Sequence, residues 1–332
     1  MSVIEVVKKS ALRRNVARAL RKRTPGVDFL LRAAVDDLGD RLATVERVFE
    51  RAVLLAPDTH HLAGMVQASG KAGSILQLAP AAVGLAPDIA AAVADEEALP
   101  LAPASIDLFA TALSLQWTND LPGAMVQIRQ ALRPDGLFLA SLFGGSTLVE
   151  LRDSLMQAET ELRGGASPRV LSFADVRQLG ALLQRAGFAL PVADRDTLTV
   201  RYDSAFGLMA DLRAMGAANV LTDRDTGYVG RDLFLRTAQI YAERYSDPDG
   251  RIRATFEIVS LSGWAPHESQ QKPLRPGSAK VSLADVLGHD RPGKSQAFTG
   301  SRHDLPERTS PPQQAAGGPA IRPSGTEPRR SE

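Results

Sequence analysis

Short apolar runs alternate with helical stretches through the first half of the chain. The runs predict five strands, at 52–56, 74–78, 91–93, 106–112 and 137–143. Their uninterrupted apolar character is typical of strands that are covered on both faces of a parallel sheet. A helix between the last two runs is predicted to end at the Pro-Asp-Gly turn of residues 134–136. The pattern therefore predicts a doubly wound α/β fold whose core sheet lies between residues 51 and 143.

The remainder of the chain is predicted to be mainly helical. Two helices precede residue 51, the second over about 27–50, where apolar residues recur at helical spacing. After Phe143 the pattern predicts four helices and two strands, with Ser172 as an N-cap and Gly187 as a helix stop. These helices cover 147–163, 172–187, about 204–215 and about 231–244, and the strands cover 198–202 and 254–264.

The ends of the chain differ from its centre in composition. Residues 1–27 form a basic helical segment, 28–290 a single domain with helical and strand additions at 146–287, and 291–332 a tail rich in Pro and Gly. The tail has few large apolar residues, so it is predicted to be disordered. The basic segment admits three interpretations, a transit peptide, a helix on a membrane surface or a solvated helix face, and the last is preferred.

Composition excludes several kinds of chemistry. The chain has no cysteine, so disulfides, thiolate metal sites and a cysteine nucleophile are excluded. Its formal net charge of +1 predicts no overall attraction to nucleic acid. No apolar run reaches the roughly 20 residues that span a bilayer, so no transmembrane segment is expected, while peripheral membrane contact stays open.

The histidines give no metal-binding pattern. His60 and His61 are adjacent, and neighbouring residues on a helix or strand do not share a face. The other three, His267, His289 and His303, lie far along the chain. We therefore expect no metal site.

One long segment resembles a known enzyme superfamily. Residues 107–145, "DLFATALSLQWTNDLPGAMVQIRQALRPDGLFLASLFGG", are similar to the fourth strand, following helix and fifth strand of class I S-adenosylmethionine-dependent methyltransferases. Two families within it share "LSLQW" and "NDLP": the malonyl-acyl-carrier-protein methyltransferases of biotin synthesis and the mitochondrial complex I assembly factors known as protein arginine hydroxylases. The segment 263–286, "GWAPHESQQKPLRPGSAKVSLADV", resembles the assembly factors, and the likeness runs from about 28 to 287.

The resemblance implies a cofactor site that this sequence has altered. In these families a glycine-rich turn follows the first strand, because only glycine lets the backbone approach the cofactor closely. Here that turn holds Ala56, Pro57 and Asp58, and Leu78 and Ala79 stand where an acidic residue would end the second strand. Binding of S-adenosylmethionine is therefore expected to be weak or lost.

A third cofactor feature is retained. Asp95 stands where the family places an acid against the adenine amino group, although the Asp-Glu-Glu cluster at 95–97 could instead be solvated or cap a helix. The candidate cofactor-binding residues implied by the resemblance are Asp95, Glu96, Leu113, Ala56 and Asp58.

Three residues are candidates for catalysis. Trp117 follows the fourth strand at the sheet edge where open α/β folds bind ligands, and it either walls a pocket or packs against a helix. His267 and Glu268 either form an acid–base pair or order a loop.

The resemblance implies an assembly factor for complex I that binds S-adenosylmethionine and acts on a protein substrate, with an arginine as the candidate target and a complex I subunit or assembly intermediate as the partner. Two alternatives are a non-catalytic assembly factor with a degenerate cofactor site and a malonyl-acyl-carrier-protein O-methyltransferase. A bacterial protein of this kind would be cytoplasmic, and a eukaryotic one would lie in the mitochondrial matrix.

Overall fold

A seven-stranded sheet forms the centre of the protein in the computed structural model, which describes residues 4–225, 227 and 229–271. Its strands lie in the order β3-β2-β1-β4-β5-β7-β6. They are β1 (Phe49–Leu55), β2 (Ala72–Ala79), β3 (Ala90–Val93), β4 (Ile106–Ala112), β5 (Leu132–Phe143), β6 (Ala189–Tyr202) and β7 (Ile252–Trp264).

The first five strands are parallel, and the chain reverses direction only at β7. This strand pairs antiparallel with both β5 and β6. The strand order changes direction at β1 and β4, which are neighbours although two strands separate them in sequence. Open sheets of this kind bind ligands at the carboxyl ends of the strands beside such a switch point.

Eight helices surround the sheet in the described part of the chain. They are α1 (Lys9–Lys22), α2 (Phe29–Ala43), α3 (His60–Ala68), α4 (Leu121–Ala131), α5 (Val149–Arg163), α6 (Val176–Arg185), α7 (Ala205–Ala214) and α8 (Arg231–Tyr245). A short 3-10 helix, Leu115–Trp117, follows β4.

Alternate residues of the central strands enter two separate cores. Val53 and Leu55 of β1 pack on one face with α4 and α6, while Leu54 packs on the other face with α2 and α3. This arrangement follows from the two-residue repeat of a strand. Because both faces are covered, each central strand is apolar at nearly every position, and the doubly wound fold predicted from the sequence is confirmed.

The structure corrects three local predictions. The second helix ends at Ala43, and Val48 is exposed just before β1. The Pro-Asp-Gly residues form a bulge within β5, since the pairing with β4 shifts register there. The N-cap of α6 is Asp175 rather than Ser172, because its carboxylate and the side chain of Gln178 form a reciprocal capping box.

Other predicted features are found where expected. Gly187, placed as a helix stop, has a φ of 84°, a conformation that side chains other than glycine rarely adopt. The predicted tail 291–332 and the domain end at 290 lie outside the described residues. Within 4–225, 227 and 229–271, no helix combines the length and apolar content needed to traverse a bilayer.

Candidate functional site

The carboxyl ends of β1, β4 and β5 open onto a cavity of about 740 Å³. Its walls come from α1, the start of α2, the turn after β1, α5, α7 and the segment 216–221. A cavity of this size at this edge is the expected location of a ligand site in such a sheet.

The cavity wall is mainly apolar, with charged groups at intervals. The apolar part includes Leu113, Trp117, Phe143, Leu148, Met209 and Phe256. The charged or titratable part includes Asp28, Asp58, His60, His61, Arg169 and Arg213. Such a wall can hold an apolar segment and orient a few polar groups on it.

Two leucines in this wall have strained backbone conformations. Leu113, just after β4, has a φ of 48°, and Leu148, just before α5, has a φ of 56°. Each is held there by a backbone hydrogen bond, from Leu113 N to Ser141 O at 2.8 Å and from Leu148 N to Thr255 O at 2.7 Å. A positive φ costs a leucine about 1–2 kcal/mol. Strain of this kind concentrates at functional sites.

The turn after β1 is occupied by side chains and offers little free backbone to a ligand. Ala56 is fully buried and does not line the cavity, whereas Asp58 does. The carboxylate of Asp58 accepts hydrogen bonds from the backbone N–H and the Nδ1 of His60, at the beginning of α3. Pro57 has no N–H to offer a ligand.

The loop after β2 closes over that turn. A Cβ placed on Gly84 would lie 2.9 Å from the carbonyl oxygen of Pro57 and 2.7 Å from Leu20 Cδ1. Thr59 donates through its N–H to Gly84 O at 2.8 Å, and the hydroxyl of Thr59 also bonds the buried side chain of Gln77. Gln77 in turn donates to Ala86 O. These bonds fix the loop against the first strand.

The acidic cluster after β3 is bound by α1. Lys9 Nζ lies 3.4 Å from Asp95, 2.8 Å from Glu96 and 3.2 Å from Glu97. Arg13 pairs with Asp95 as well. Glu96 is almost fully buried and also accepts a hydrogen bond from Ser114 Oγ at 2.8 Å. Asp95 and Glu96 do not line the cavity, because α1 covers them.

The charges of this cluster support one another. Burial disfavours the charged forms of Lys9 and Asp95, but their mutual attraction outweighs it. The pKa of Lys9 is raised mainly by Glu96, against the effect of burial. The pKa of Asp95 is lowered by a backbone N–H at Glu97 and by Lys9, also against burial.

The rest of α1 forms a wall of the cavity. Leu12 and Val16 are buried and line it, together with Leu20. The residues before the helix are fixed by Asn119, whose Oδ1 accepts from Val6 N at 2.8 Å and Val7 N at 2.7 Å. Trp117 lines the cavity and also packs against Leu12 and Val16 of α1. A position in the cavity wall and a position against a helix are therefore compatible for this residue.

The two adjacent histidines bind different aspartates. His60 Nδ1 lies 2.7 Å from Asp58, and His61 Nε2 lies 2.7 Å from Asp28. Burial raises the pKa of Asp28, but hydrogen bonds from Arg32 and His61 outweigh it and leave the pKa below its usual value. Among the residues that the structure describes, no three His, Asp or Glu side chains are placed to hold a metal ion.

An ion pair between the half-buried Arg169 and the buried Glu159 supports the far wall of the cavity. Arg169, which lines the cavity, donates through Nε and a terminal nitrogen to the carboxylate of Glu159 at 3.0 and 2.6 Å. Ser167 adds bonds from its N–H and hydroxyl. The hydrogen bond from Arg169, opposed by burial, lowers the pKa of Glu159 to about 2.

His267 and Glu268 lie at the opposite end of the sheet. They follow Trp264, which pairs with Leu137, six residues before the end of β5 at Phe143, whereas the cavity lies beyond that end. His267 is exposed and bonds Ser269 Oγ, and Gln270 donates to Asp135. The structure thus separates these two candidates from Trp117, Leu113 and Asp58, and the contacts of His267 are those of an ordered loop.

Sequence reasoning missed the part of the site that comes from distant segments. It treated the amino-terminal helix as a solvated element, although Leu12, Val16 and Leu20 recur at helical spacing and indicate a buried face. It gave no signal for Arg169 or Glu159, which lie ten residues apart and meet only through the turn after α5.

The features implied for S-adenosylmethionine do not fit this structure. The turn after β1 offers a proline in place of a backbone donor, and Leu78 is a buried core residue at the end of β2. Asp95 is engaged by Lys9 and Arg13. We call the three features that the resemblance implies the cofactor cradle. Two of them are missing at the expected positions, and the third, Asp95, is present but paired with α1.

Comparisons with known proteins find similarity to methyltransferases over part of the chain. The model of the family described as "Methyltransferase domain" matches residues 65–140, a range that begins after the altered turn. The mouse protein "Arginine-hydroxylase NDUFAF5, mitochondrial" is 46% identical over 205 residues, which are 60% of this chain and 60% of that protein. A "Malonyl-[acyl-carrier protein] O-methyltransferase" from Xylella fastidiosa is 42% identical over 172 residues, 52% of this chain and 56% of that protein.

The structural comparison agrees on the fold. The crystal structure of the YcgJ protein from Bacillus subtilis superposes with a TM-score of 0.50 at 13% identity, covering 70% of this chain and 99% of that one. The match to the mouse protein spans about 60% of that protein's length. The chain thus has a Rossmann-like fold in which residues 65–140 match a methyltransferase domain. It is similar over 60% of its length to an NDUFAF5 arginine hydroxylase and, at lower identity, over 52% of its length to a malonyl-acyl-carrier-protein methyltransferase.

Proposed function

We propose that this chain is an assembly factor of the complex I type, which receives a segment of a protein substrate in the cavity at the carboxyl edge of the sheet. The observation that carries the proposal is the 46% identity to the mouse arginine hydroxylase NDUFAF5 over 205 residues. The partner would be a complex I subunit or an assembly intermediate. An arginine of that partner is the candidate target, and this assignment rests on the relative's name.

The cavity supports a protein segment as ligand. Its volume of about 740 Å³ and mainly apolar wall suit several side chains of an extended segment. Asp28 and Asp58 bring carboxylates to this wall, where they could meet a cationic side chain. Trp117 offers a large flat surface beside them.

We also propose that this chain binds S-adenosylmethionine more weakly than relatives in which the cofactor cradle is intact. A charge-assisted hydrogen bond is worth about 1.5–3 kcal/mol, and about 1.4 kcal/mol changes an affinity tenfold. Loss of the glycine turn and of the acid after β2 should therefore raise the dissociation constant for S-adenosylmethionine by about a hundredfold to a thousandfold.

Calorimetry of the purified chain with S-adenosylmethionine tests this expectation. A relative that has the glycine turn and the acid serves as the reference. Micromolar or tighter binding by this chain would contradict the prediction. It would mean that residues 57–61 form a different but effective cradle.

Affinity capture from cells tests the partner. The tagged chain should enrich a complex I subunit, and Trp117→Ala should reduce that enrichment severalfold, because Trp117 lines the cavity. His267→Ala is the matched control, since His267 is exposed at the other end of the sheet. Enrichment of acyl carrier protein in place of a complex I subunit would move the assignment to the malonyl thioester branch.

A further inference from the structure

The polar contacts between the amino-terminal helix and the rest of the domain lie at one end of the helix. We call residues 4–22, which are α1 and the residues before it, the lid. Within the described chain, the hydrogen bonds and ion pairs from the lid to other elements all come from residues 6–13. Their partners are Asn119, the acidic cluster at 95–97 and the segment 220–222. We call this part of the lid its bonded end.

The other end of the lid continues into a turn with few constraints. Residues 23–27 join α1 to α2, and in the described structure they form no hydrogen bond or ion pair with the sheet or with helices other than α1. Two of them, Arg23 and Gly26, have a positive φ, of 45° and 79°. A Cβ placed on Gly26 would have no atom within 4 Å, so the turn has open space around it. Such a short connection at the end of a helix can absorb the rotation of that helix.

The apolar contacts of the lid form a small cluster that is separate from the main cores. Val7, Leu12 and Val16 pack against Val220, and none of these four residues belongs to the clusters that cover the sheet. Elements with few buried apolar contacts open at a lower free energy than the core of a domain. The lid can therefore move away while the sheet and its other helices stay folded.

The inner side of the lid is a wall of the cavity. Leu12, Val16 and Leu20 line it on this side, and Leu155 of α5 is one of the residues that line it elsewhere. Rotation of the lid about residues 23–27 moves its three leucine and valine side chains away from the other walls. The cavity would then be open along the length of α1.

We propose that the lid opens as one unit about residues 23–27, and that this opening admits the ligand of the cavity. Polar bonds at one end of a helix and an unbonded turn at the other favour rotation about the turn, because the polar groups at the bonded end can exchange their partners for water. The hinge motion does not depend on which ligand enters. That the ligand is a protein segment rests on the function proposed above.

Thiol labelling tests the motion on the full chain, which has no cysteine of its own. V16C places a thiol on the inner side of the lid, and the control V66C places one at a buried valine of α3. A buried thiol reacts with N-ethylmaleimide only when its surroundings open. Without denaturant, V16C should react about a hundredfold faster than V66C. Its rate should also depend less on urea, since opening of the lid exposes less surface than global unfolding.

A disulfide at the bonded end tests whether the lid opens there. Val7 and Leu221 form an isolated antiparallel bridge that is flanked by two backbone hydrogen bonds. Residues paired in this way have Cα atoms about 4.5 Å apart, a separation that a disulfide can span. In the oxidised V7C/L221C background, V16C should react at least about tenfold more slowly and no faster than V66C in the same background.

The gating of the cavity is tested from the wall opposite the lid. Leu155 is 6% exposed, and L155C places a thiol in this wall. Labelling of L155C should be slowed by the disulfide by the same factor as labelling of V16C. Each comparison is made with and without the disulfide on the same substitution, so the effect of the smaller side chain cancels. Circular dichroism should show that the variants are folded.

The proposal is wrong if V16C and V66C react at the same rate, because the lid would then open only when the whole domain unfolds. Rapid labelling of V16C in the disulfide-linked chain would show that α1 unwinds from its carboxyl-terminal end instead of rotating as a unit. Labelling of L155C that the disulfide leaves unchanged would show that the cavity is entered by another route. Since these measurements use no partner protein, their outcome is separate from that of the affinity capture described above.

Discussion

Replacement of Glu159 by alanine is expected to lower the free energy of unfolding by about 3 kcal/mol. Its side chain is only 3% exposed, and the Arg169 side chain that it binds is 12% exposed. Removal of the carboxylate leaves a guanidinium partly buried without its counterion, and it also leaves the N–H and hydroxyl of Ser167 without their acceptor. Urea unfolding at neutral pH measures the loss.

Glu161→Ala is the matched control for this experiment. Glu161 lies two residues further along α5 and also pairs with an arginine, Arg236, but it is exposed to solvent. Exposed ion pairs contribute little to stability. An equal loss of stability in the two variants would contradict the assignment of a supporting role to the Glu159–Arg169 pair.

The same pair predicts a pH dependence. Arg169 holds the pKa of Glu159 at about 2 in the folded chain, against 4.5 for an ordinary glutamate. The folded pKa is depressed, so the stabilisation is complete above pH 4.5 and is lost as the pH falls toward 2. The difference in unfolding free energy between wild type and Glu159→Ala should therefore shrink over that interval.

The sheet was predictable because each of its central strands is buried on both faces. Residues 106–112 are all buried in β4, and this condition produces the uninterrupted apolar run in the sequence. The edge strand β6 gave a weaker signal. Its exposed and half-buried residues alternate, and the sequence indicated only the last five of its fourteen residues.

Residues of the site could be predicted only where their position follows from one segment of the sequence. Trp117, Leu113 and Asp58 each follow a strand, so the resemblance and the rule for open sheets place them at the cavity edge. The engagement of Asp95 by Lys9 could not be seen, because 86 residues separate the two in sequence. Charge pattern alone gives a basic helix and an acidic cluster without showing that they meet.

The loop after β2 makes a second contact that could not be predicted from the sequence. The resemblance implies that Leu78 and Ala79 stand where an acidic residue would be, but the sequence does not show that Gly84 comes back to within contact of Pro57. This approach depends on the buried side chains of Thr59 and Gln77, which bond the loop to the start of α3. The altered turn and the closed loop are therefore one structural unit, and a glycine-rich turn grafted at 56–59 would also have to accommodate Gly84.

Replacement of Lys9 by methionine is expected to release α1 from the acidic cluster. Methionine keeps most of the length and apolar character of the lysine stem while removing its charge. Glu96, only 2% exposed, would then lie buried with Ser114 as its remaining partner. Loss of the counterion of a buried carboxylate destabilises a protein by several kcal/mol. Here α1 can detach locally and expose Glu96 to water, so the free energy lost is limited to about 2 kcal/mol.

Limited digestion with trypsin measures the release directly. Arg14, Arg18 and Arg21 are exposed but lie in a helix that must unfold before cleavage. A cost of about 2 kcal/mol corresponds to an opening equilibrium about thirtyfold larger, so cleavage within α1 should accelerate at least tenfold. The wild-type chain should show the same release at high pH. The pKa of Lys9 is raised in the folded chain, so its contribution is present below pH 10.5 and is lost as the pH rises past the folded value.

Lys8→Met is the control, because Lys8 is exposed and its hydrogen bonds within the described residues, to Val220 O and from the N–H groups of Ala11 and Leu12, come from its backbone. A second change identifies the buried carboxylate as the cause. Glu96→Gln in the Lys9→Met background should restore part of the lost stability, since a neutral amide needs no counterion and can still bond Ser114. If Lys9→Met and Lys8→Met are cleaved at the same rate, α1 is not held by the acidic cluster. The closure of the cavity must then depend on Leu12 and Val16 and on the bonds to Asn119 instead.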